Sequence, residues 1–283
     1  MFLKLLGSAA AEGWPALFCA CEACREARRL GGKNLRRRTS YQLGDSVHVD
    51  FGPDSFSSML AFGLDYTLLR HLLITHAHQD HWLPEELVWR RAGYSQKLED
   101  CPLVVHGNRH VQDSLREQFH ELESLNLSFQ QVKPYERLAL SDGLSAIGLP
   151  ASHASEEELA LNYLFTWRDR NLVIGNDTGW WLPEVWDFLQ DFQLHLVVMD
   201  CTSGPSGTGP RDAERSWVGS HHLNNEWVVE VRDELARRGA LAEDCTFVAN
   251  HFSHNGGALH EQLEEYFVPR GILVGYDGMD VPL

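Results

Sequence analysis

Residues 72–81 read Leu72-Leu73-Ile74-Thr75-His76-Ala77-His78-Gln79-Asp80-His81. The apolar start of this stretch predicts a buried strand, and four side chains that bind metals follow it within six residues. If the strand continues, His76 and His78 point the same way and can chelate one ion. Asp80 and His81 then face a second ion as the chain turns. A histidine-rich loop without metal is the alternative, but four ligands so close together at a strand end are rarely a coincidence.

Strands and helices alternate along the whole chain. The predicted strands are Phe2–Leu6, Val47–Phe51, Leu72–Thr75, Leu103–Val105, Ser128–Val132, Leu159–Thr166, Leu172–Ile174, Leu196–Met199, Thr246–Ala249 and Ile272–Val274. The predicted helices are Glu22–Leu30, Pro84–Ala92, Val111–Glu121, Pro183–Phe188, Asn224–Arg238 and Ala258–Glu264. Because these elements interleave from one end to the other, we expect an α/β sandwich built as one domain over residues 1–283.

The composition excludes several classes of function. The 283 residues include 40 acidic and 24 basic side chains, which gives a net charge of −16. Such a balance opposes binding to nucleic acid or to an anionic membrane, since both need a basic surface. Lys4 and Gly7 interrupt the N-terminal apolar segment too early for a signal peptide, and we expect a cytoplasmic protein. We interpret Arg36-Arg37-Arg38 as a solvated loop, with a polyanion-binding patch as the alternative.

The pattern His-x-His-x-Asp-His at residues 76–81 resembles the signature of the metallo-β-lactamase superfamily. That family has an αββα sandwich of two mixed sheets flanked by helices, with a metal site at one edge. Its remaining ligands are a histidine after a later strand, a bridging aspartate and a final histidine. Each has one match here, in Pro150-Ala151-Ser152-His153, in Asn176-Asp177-Thr178-Gly179 and in Val248-Ala249-Asn250-His251.

The resemblance implies a specific dinuclear site. One ion would be held by His76, His78, His153 and Asp177, and the other by Asp80, His81, His251 and Asp177. The ions would be zinc or manganese, or else iron, and would lie roughly 3.5–4 Å apart with a hydroxide between them that attacks the substrate. We count Asp80 among the expected catalytic residues as well as among the metal ligands. We interpret His222 as a general acid for the leaving alcohol, with a surface or supporting histidine as the alternative.

A second metal motif lies near the N-terminus, in a loop at about residues 13–38. Cys19-Ala20-Cys21-Glu22-Ala23-Cys24 places three thiols within reach of one ion. We predict that His254 completes a structural zinc site, because it follows His251 by three residues and reaches the same edge of the fold. A redox pair of Cys21 and Cys24 is the alternative.

The cysteine motif also indicates which families of the superfamily the chain resembles most. Gly7–Arg29 and the tail Gly275–Asp280 resemble PhnP-like cyclic phosphodiesterases and, more distantly, PqqB-like proteins, whereas Arg211–His222 departs from the PhnP pattern. The resemblance implies a phosphodiesterase that cleaves a small or cyclic phosphate diester. A lactonase or thioesterase acting on a carbonyl, and a non-catalytic cofactor-handling protein like PqqB, are the alternatives. The expected partner is a small-molecule phosphate ester, and the sequence leaves a homodimer open.

Overall fold

Two mixed β-sheets pack face to face in the computed structural model, which describes residues 1–153, 157–205 and 221–283. The strands are β1 (Phe2–Gly7), β2 (Ser40–Leu43), β3 (Val47–Val49), β4 (His71–Leu73), β5 (Leu103–Gly107), β6 (Leu127–Gln131), β7 (Arg137–Ala139), β8 (Leu144–Pro150), β9 (Leu161–Trp167), β10 (Arg170–Gly175), β11 (Leu194–Asp200), β12 (Leu241–Asn250), β13 (Ile272–Val274) and β14 (Asp280–Pro282). The first sheet has the order β14-β1-β2-β3-β4-β5-β6 and the second β13-β12-β11-β10-β9-β8-β7. The predicted αββα sandwich is confirmed.

Helices cover the outer faces of the sheets. They are α1 (Glu22–Leu30), α2 (Ser55–Phe62), α3 (Arg109–Gln118), α4 (Pro183–Leu189), α5 (Asn225–Arg237) and α6 (His260–Phe267). One apolar core, which includes Leu5, Val49 and Ile174, fills the space between the sheets. A further core lies between each sheet and the helices that cover it. Each layer thus buries its apolar face against the next, which is the general requirement for a layered fold.

The parallel strands bring their carboxyl ends to one edge of the sandwich. Strands β3 to β6 run parallel in the first sheet, and β10 to β13 run parallel in the second. The segments that follow β4, β8, β10 and β12 carry the candidate ligands. The Leu223 backbone N–H donates to Asp200 Oδ1 at 3.1 Å, which holds the preceding His222 close to the same edge.

Several sequence predictions need correction. Strand β4 ends at Leu73, so strand alternation does not explain why His76 and His78 converge; both lie in the loop that follows. Residues 84–90 form a 3-10 helix rather than an α-helix. Strands β2, β7, β8 and β14 and helix α2 are not among the predicted elements given above. Most of the divergent segment Arg211–His222 lies outside the described residues.

The basic run is also not wholly solvated. Arg36 is buried and donates to the Gly275 carbonyl at 2.6 Å and to the Ser8 hydroxyl at 2.9 Å, while Arg37 and Arg38 are partly exposed. Arg36 therefore has a structural role. Across the part of the chain that the structure describes, the helices are all too short or too polar to cross a bilayer.

Candidate metal centres

Three histidines form the first candidate group. Nitrogen atoms of His76, His78 and His153 all lie within 4.8 Å of one another. His76 Nε2 is 2.9 Å from His78 Nδ1, and the ring of His153 is centred 4.9 Å from that of His76. The backbone N–H of Ala77 donates to Glu158 Oε1 at 2.8 Å and fixes the loop between the two histidines. Three imidazoles that converge in this way can hold one ion.

Asp80, His81 and His251 form the second candidate group, again with their donor atoms within 4.8 Å. His81 Nε2 is 3.0 Å from Asp80 Oδ2, and the rings of His81 and His251 stack with centroids 5.6 Å apart. All three residues are buried. The structure therefore brings together in two groups the six ligands that the sequence predicts in addition to Asp177.

Asp177 lies between the two groups. Its Oδ2 is 2.7 Å from His81 Nε2 and 2.9 Å from His251 Nε2, whereas its Oδ1 is 3.6 Å from His153 Nε2. One oxygen thus faces the second group while the other faces the first. This is the arrangement expected of a carboxylate that bridges two ions.

Four donor atoms at the centre make no hydrogen bond of acceptable geometry within the described residues. They are the buried atoms His81 Nε2, His153 Nε2, His251 Nε2 and Asp177 Oδ2. The short contacts of Asp177 Oδ2 with His81 and His251 are ion pairs only while those rings are protonated. Buried polar groups are otherwise almost always paired, because an unpaired one costs about 1–3 kcal/mol. Converging, unpaired nitrogen and oxygen atoms fit divalent ions such as zinc or manganese, which supply the missing partners.

Two carboxylates that the sequence analysis missed support the ligands. Asp50, directly after β3, accepts from the Thr75 N–H at 2.8 Å and lies 2.7 Å from His81 Nδ1. Asp200 ends β11 and lies 3.5 Å from His251 Nδ1. A carboxylate behind a ligating histidine fixes the ring and its tautomer. The only signal in the sequence is a lone aspartate after an apolar run, which does not distinguish a supporting residue from a turn.

The two groups differ in charge. Burial opposes the charged form of His81, but nearby carboxylates, that of Asp80 foremost, outweigh it and raise its pKa well above the usual range. Burial likewise opposes charge on Asp177, yet His251 and His81 lower the pKa of its carboxyl. Burial lowers the pKa of both His76 and His153. His76 and His153 therefore present neutral imidazoles, which is the form that binds metals.

The backbone at the site is held in an unusual conformation. Asp50, Asp177 and His251 have φ values of 61°, 43° and 61°. Left-handed backbone at non-glycine residues costs of order 1–3 kcal/mol and collects at functional sites. Asn176 and Asn250 directly precede Asp177 and His251. The Tyr41 hydroxyl bridges the two asparagines, since it donates to Asn176 Oδ1 at 2.7 Å and accepts from Asn250 Nδ2 at 2.9 Å.

His222 stands at the rim of the centre. Its Nδ1 is 3.0 Å from Asp200 Oδ2 and 3.8 Å from Asp177 Oδ1. Burial opposes its charge, but the carboxylate of Asp200 overcomes this and raises the pKa of His222 to about 9. Asp177, Asp200, His222 and His251 together could also hold an ion. The geometry thus allows His222 to be a proton donor or a ligand.

The three clustered cysteines meet His254 on the other side of the same edge. Sulfur atoms of Cys19, Cys21 and Cys24 and a nitrogen of His254 all lie within 4.8 Å. His254 Nδ1 is 3.7 Å from Cys19 Sγ and 3.5 Å from Cys21 Sγ. Hydrogen bonds to Cys21, chiefly from the Cys24 backbone N–H, lower the pKa of its thiol to about 6. The four donors fit a tetrahedral zinc ion.

Comparisons with known proteins agree with this fold. The model of the β-lactamase superfamily domain matches residues 46–242, so the chain belongs to the metallo-β-lactamase superfamily. It is a hydrolase of that fold with a buried histidine and aspartate cluster that could hold metal ions. A comparison with curated proteins found no match.

Solved structures of related fold cover nearly the whole chain. A diphosphatase from the PhnP family is 20% identical, with a TM-score of 0.73, over 99% of this chain and 96% of its own. Zinc-bound PqqB from Methylobacterium extorquens is 16% identical, with a TM-score of 0.74, over 100% of both chains. The short form of human tRNase Z is 14% identical, with a TM-score of 0.64, over 100% of this chain and 99% of its own.

Proposed function

We propose that the protein is a dinuclear metal-dependent phosphodiesterase that cleaves a small or cyclic phosphate diester. The observation that carries the proposal is the pair of ligand groups joined by Asp177, whose buried donor atoms converge and include four that make no hydrogen bond of acceptable geometry. A histidine that a carboxylate keeps protonated stands beside them. Hydrolysis of a diester needs both a means to stabilise charge on oxygen and a proton for the leaving alkoxide.

Each residue of the centre has a separate task in this proposal. His76, His78 and His153 would hold one ion, Asp80, His81 and His251 the other, and Asp177 both. Ions held there would lower the pKa of a water molecule and offset charge that develops on the phosphate oxygens. Asp50 and Asp200 orient the rings of His81 and His251.

His222 is proposed as the proton donor. Its Nδ1 faces Asp200 Oδ2 at 3.0 Å, and in this proposal Nε2 delivers the proton to the leaving alcohol. The raised pKa, to about 9, keeps the ring protonated near neutral pH. A protein that only stores a cofactor would not need such a donor, and this favours an enzyme over a binding role.

The structural neighbours support the same chemistry through the names they carry. One is described as a diphosphatase of the PhnP family and another as a tRNase Z, and both names refer to hydrolysis at a phosphate group. PqqB shares the fold equally well, so the fold alone does not separate catalysis from cofactor handling.

We also propose that Cys19, Cys21, Cys24 and His254 hold a structural zinc ion. The thiols alone would suit a redox pair, but the imidazole of His254 among them favours a closed metal site. The site fixes the N-terminal loop to the turn that follows β12.

The test combines elemental analysis with an assay of bis(p-nitrophenyl) phosphate hydrolysis, with and without added manganese. We expect about three metal ions per chain and diester turnover that His76→Ala abolishes. His120→Ala, which removes an exposed histidine, is the matched control and should change neither. Bound metal without turnover of the diester would instead favour a carbonyl hydrolase or a cofactor-handling protein, and a folded protein without metal would refute the site.

A further inference from the structure

One short turn carries a candidate ligand of each metal centre. His251 belongs to the dinuclear group and His254 to the thiol group, and only Phe252 and Ser253 separate them. The Phe252 N–H donates to the Ser8 carbonyl at 2.9 Å, and the Phe252 carbonyl accepts from the Ala10 N–H at 3.0 Å. The turn is therefore fixed by backbone hydrogen bonds to the segment that leads into the cysteine loop.

The opposite side of the turn contacts the dinuclear centre. Thr202 Oγ1 lies 2.8 Å from His251 Nδ1, and its hydroxyl donates to the His251 carbonyl at 3.1 Å. The Thr202 carbonyl accepts from the Ser253 N–H at 3.3 Å. A displacement of Ser253 would therefore also move Thr202, and with it the His251 ring that Thr202 contacts.

Glu12 connects the two halves of this turn. Its Oε1 lies 3.5 Å from His254 Nε2 and also accepts from the Ser253 hydroxyl. The other ring nitrogen, His254 Nδ1, faces the sulfur atoms of Cys19 and Cys21. The ring thus lies between thiols on one side and a carboxylate on the other. A carboxylate in this position orients a ligating histidine and makes it a better donor.

We propose that Glu12 is a positioning residue that aims His254 at the thiols and, through Ser253, couples metal binding at the cysteine group to the placement of His251. The proposal rests on the metal-binding roles proposed above. An ion that fixes His254 also fixes a turn that must be in place for His251 to bind. By linkage, each centre then raises the affinity of the other by the same factor.

The first experiment measures metal affinity at the cysteine group by competition with a zinc chelator. Glu12→Ala should weaken zinc binding on the order of tenfold, and Glu12→Gln, which keeps an acceptor for Ser253, should weaken it less. Glu22→Gln is the matched control, because it removes one negative charge from an exposed side chain beside Cys21. Equal zinc affinity in wild type and both Glu12 variants would overturn the positioning role.

A cobalt(II) spectrum separates positioning from general damage. With cobalt in place of zinc, wild type should show thiolate charge-transfer absorption and tetrahedral d–d bands. In a folded Glu12→Ala protein the charge-transfer absorption from three thiolates should remain while the d–d bands shift, because only the histidine is displaced. Unchanged d–d bands would show that Glu12 does not set the position of His254.

The second experiment measures the coupling. Manganese prefers the histidine and carboxylate ligands of the dinuclear centre to the thiols, so it reports on that centre. Its binding is followed by the decrease in the electron paramagnetic resonance signal of the free ion. A stoichiometric amount of zinc, bound first at the cysteine group, should tighten manganese binding about fivefold or more in wild type, and this gain should disappear in Cys21→Ser and shrink in Glu12→Ala. Manganese binding that ignores zinc would overturn the coupling. A wild type that binds neither metal would instead refute the proposed metal sites themselves.

Discussion

His222 differs from the other histidines of the cluster in its surroundings. Its side chain is 30% exposed, whereas that of His81 is 1% exposed, and its Nδ1 is 3.0 Å from Asp200. If His222 donates the proton, His222→Ala should lower kcat about a hundredfold or more with metal content unchanged. Metal analysis and steady-state kinetics on the same preparation check this. His221→Ala, which removes the exposed neighbouring ring, is the control.

The pH profile adds a sharper test of the same residue. Because the His222 pKa is raised to about 9 and Asp200 is the main cause of the rise, wild-type kcat should fall as the pH rises past that value. Asp200→Asn removes the carboxylate and should move this basic limb to lower pH. A basic limb that stays in place in both Asp200→Asn and His222→Ala would exclude His222 as the acid.

Tyr41 supports the residues next to the candidate ligands but is not itself a candidate ligand. Its hydroxyl pairs with Asn176 and Asn250, the residues before Asp177 and His251. Tyr41→Phe leaves two buried amide groups without this partner, and we expect it to lower the free energy of unfolding by about 2 kcal/mol. Urea unfolding of the metal-free protein measures the loss. Tyr66→Phe is the control, since that hydroxyl makes a single 3.3 Å bond, and an equal loss in both variants would contradict a special role for Tyr41.

At the level of elements, the sequence predicts long apolar strands well and short polar ones poorly. Strand β2 reads Ser-Tyr-Gln-Leu and β14 has three residues, so neither shows an apolar run. Helix α2 was missed because apolar residues such as Phe56 and Leu60 face solvent, at 63% and 65% exposure, and hide the usual amphipathic pattern. Elements whose burial is set by neighbours far along the chain cannot be found from local periodicity.

The candidate ligands were easier to predict than their supports. Residues 76–81 stand out by spacing alone, whereas His153, Asp177 and His251 needed the family resemblance. Asp50 and Asp200 were missed because each is a single aspartate after a strand, and only the fold shows that they face ligand histidines. The sequence pattern therefore reveals ligands that are clustered along the chain. The residues that support them can be identified only once the fold shows which strand ends lie next to each other.

The loop after β3 packs directly on the metal-binding loop. A Cβ on Gly52 would lie 2.0 Å from the Asp80 carbonyl oxygen, and this atom belongs to the backbone and cannot rotate away. Gly52→Ala should therefore displace Asp80 and His81 and weaken metal binding at the second group by about tenfold or more, as well as lower stability. Titration with manganese and thermal unfolding measure the two effects.

A control separates local displacement from general strain. A Cβ on Gly148 would meet the Val132 side chain at 2.6 Å, within the core and away from Asp80. Gly148→Ala should lower the unfolding temperature but leave manganese affinity unchanged. If Gly52→Ala loses stability without losing affinity, the close approach of this glycine to Asp80 does not control the site.

The molecule as a whole concentrates opposite charges at its buried edge. In the metal-free protein, imidazolium–carboxylate pairs stabilise the fold, because the pKa values of His222, His81 and His251 are raised above the ordinary 6.5. A raised histidine pKa contributes stability that is complete below about 6.5 and is lost as the pH rises through the folded value, which for His222 is about 9. Metal ions compete with these protons, so their binding strengthens over the same range.

Metal loading should therefore stabilise the protein more at high pH than at low pH. The gap between the unfolding temperatures of the loaded and the chelator-treated protein should widen from about pH 6 to about pH 9, because the metal-free form loses its charge pairs while the loaded form gains affinity. Differential scanning calorimetry with and without chelator measures the gap. His222→Ala should flatten the pH dependence of the metal-free form, and His120→Ala should leave it unchanged. A gap that is constant or narrows with pH would mean that protons and metal ions do not compete for this cluster.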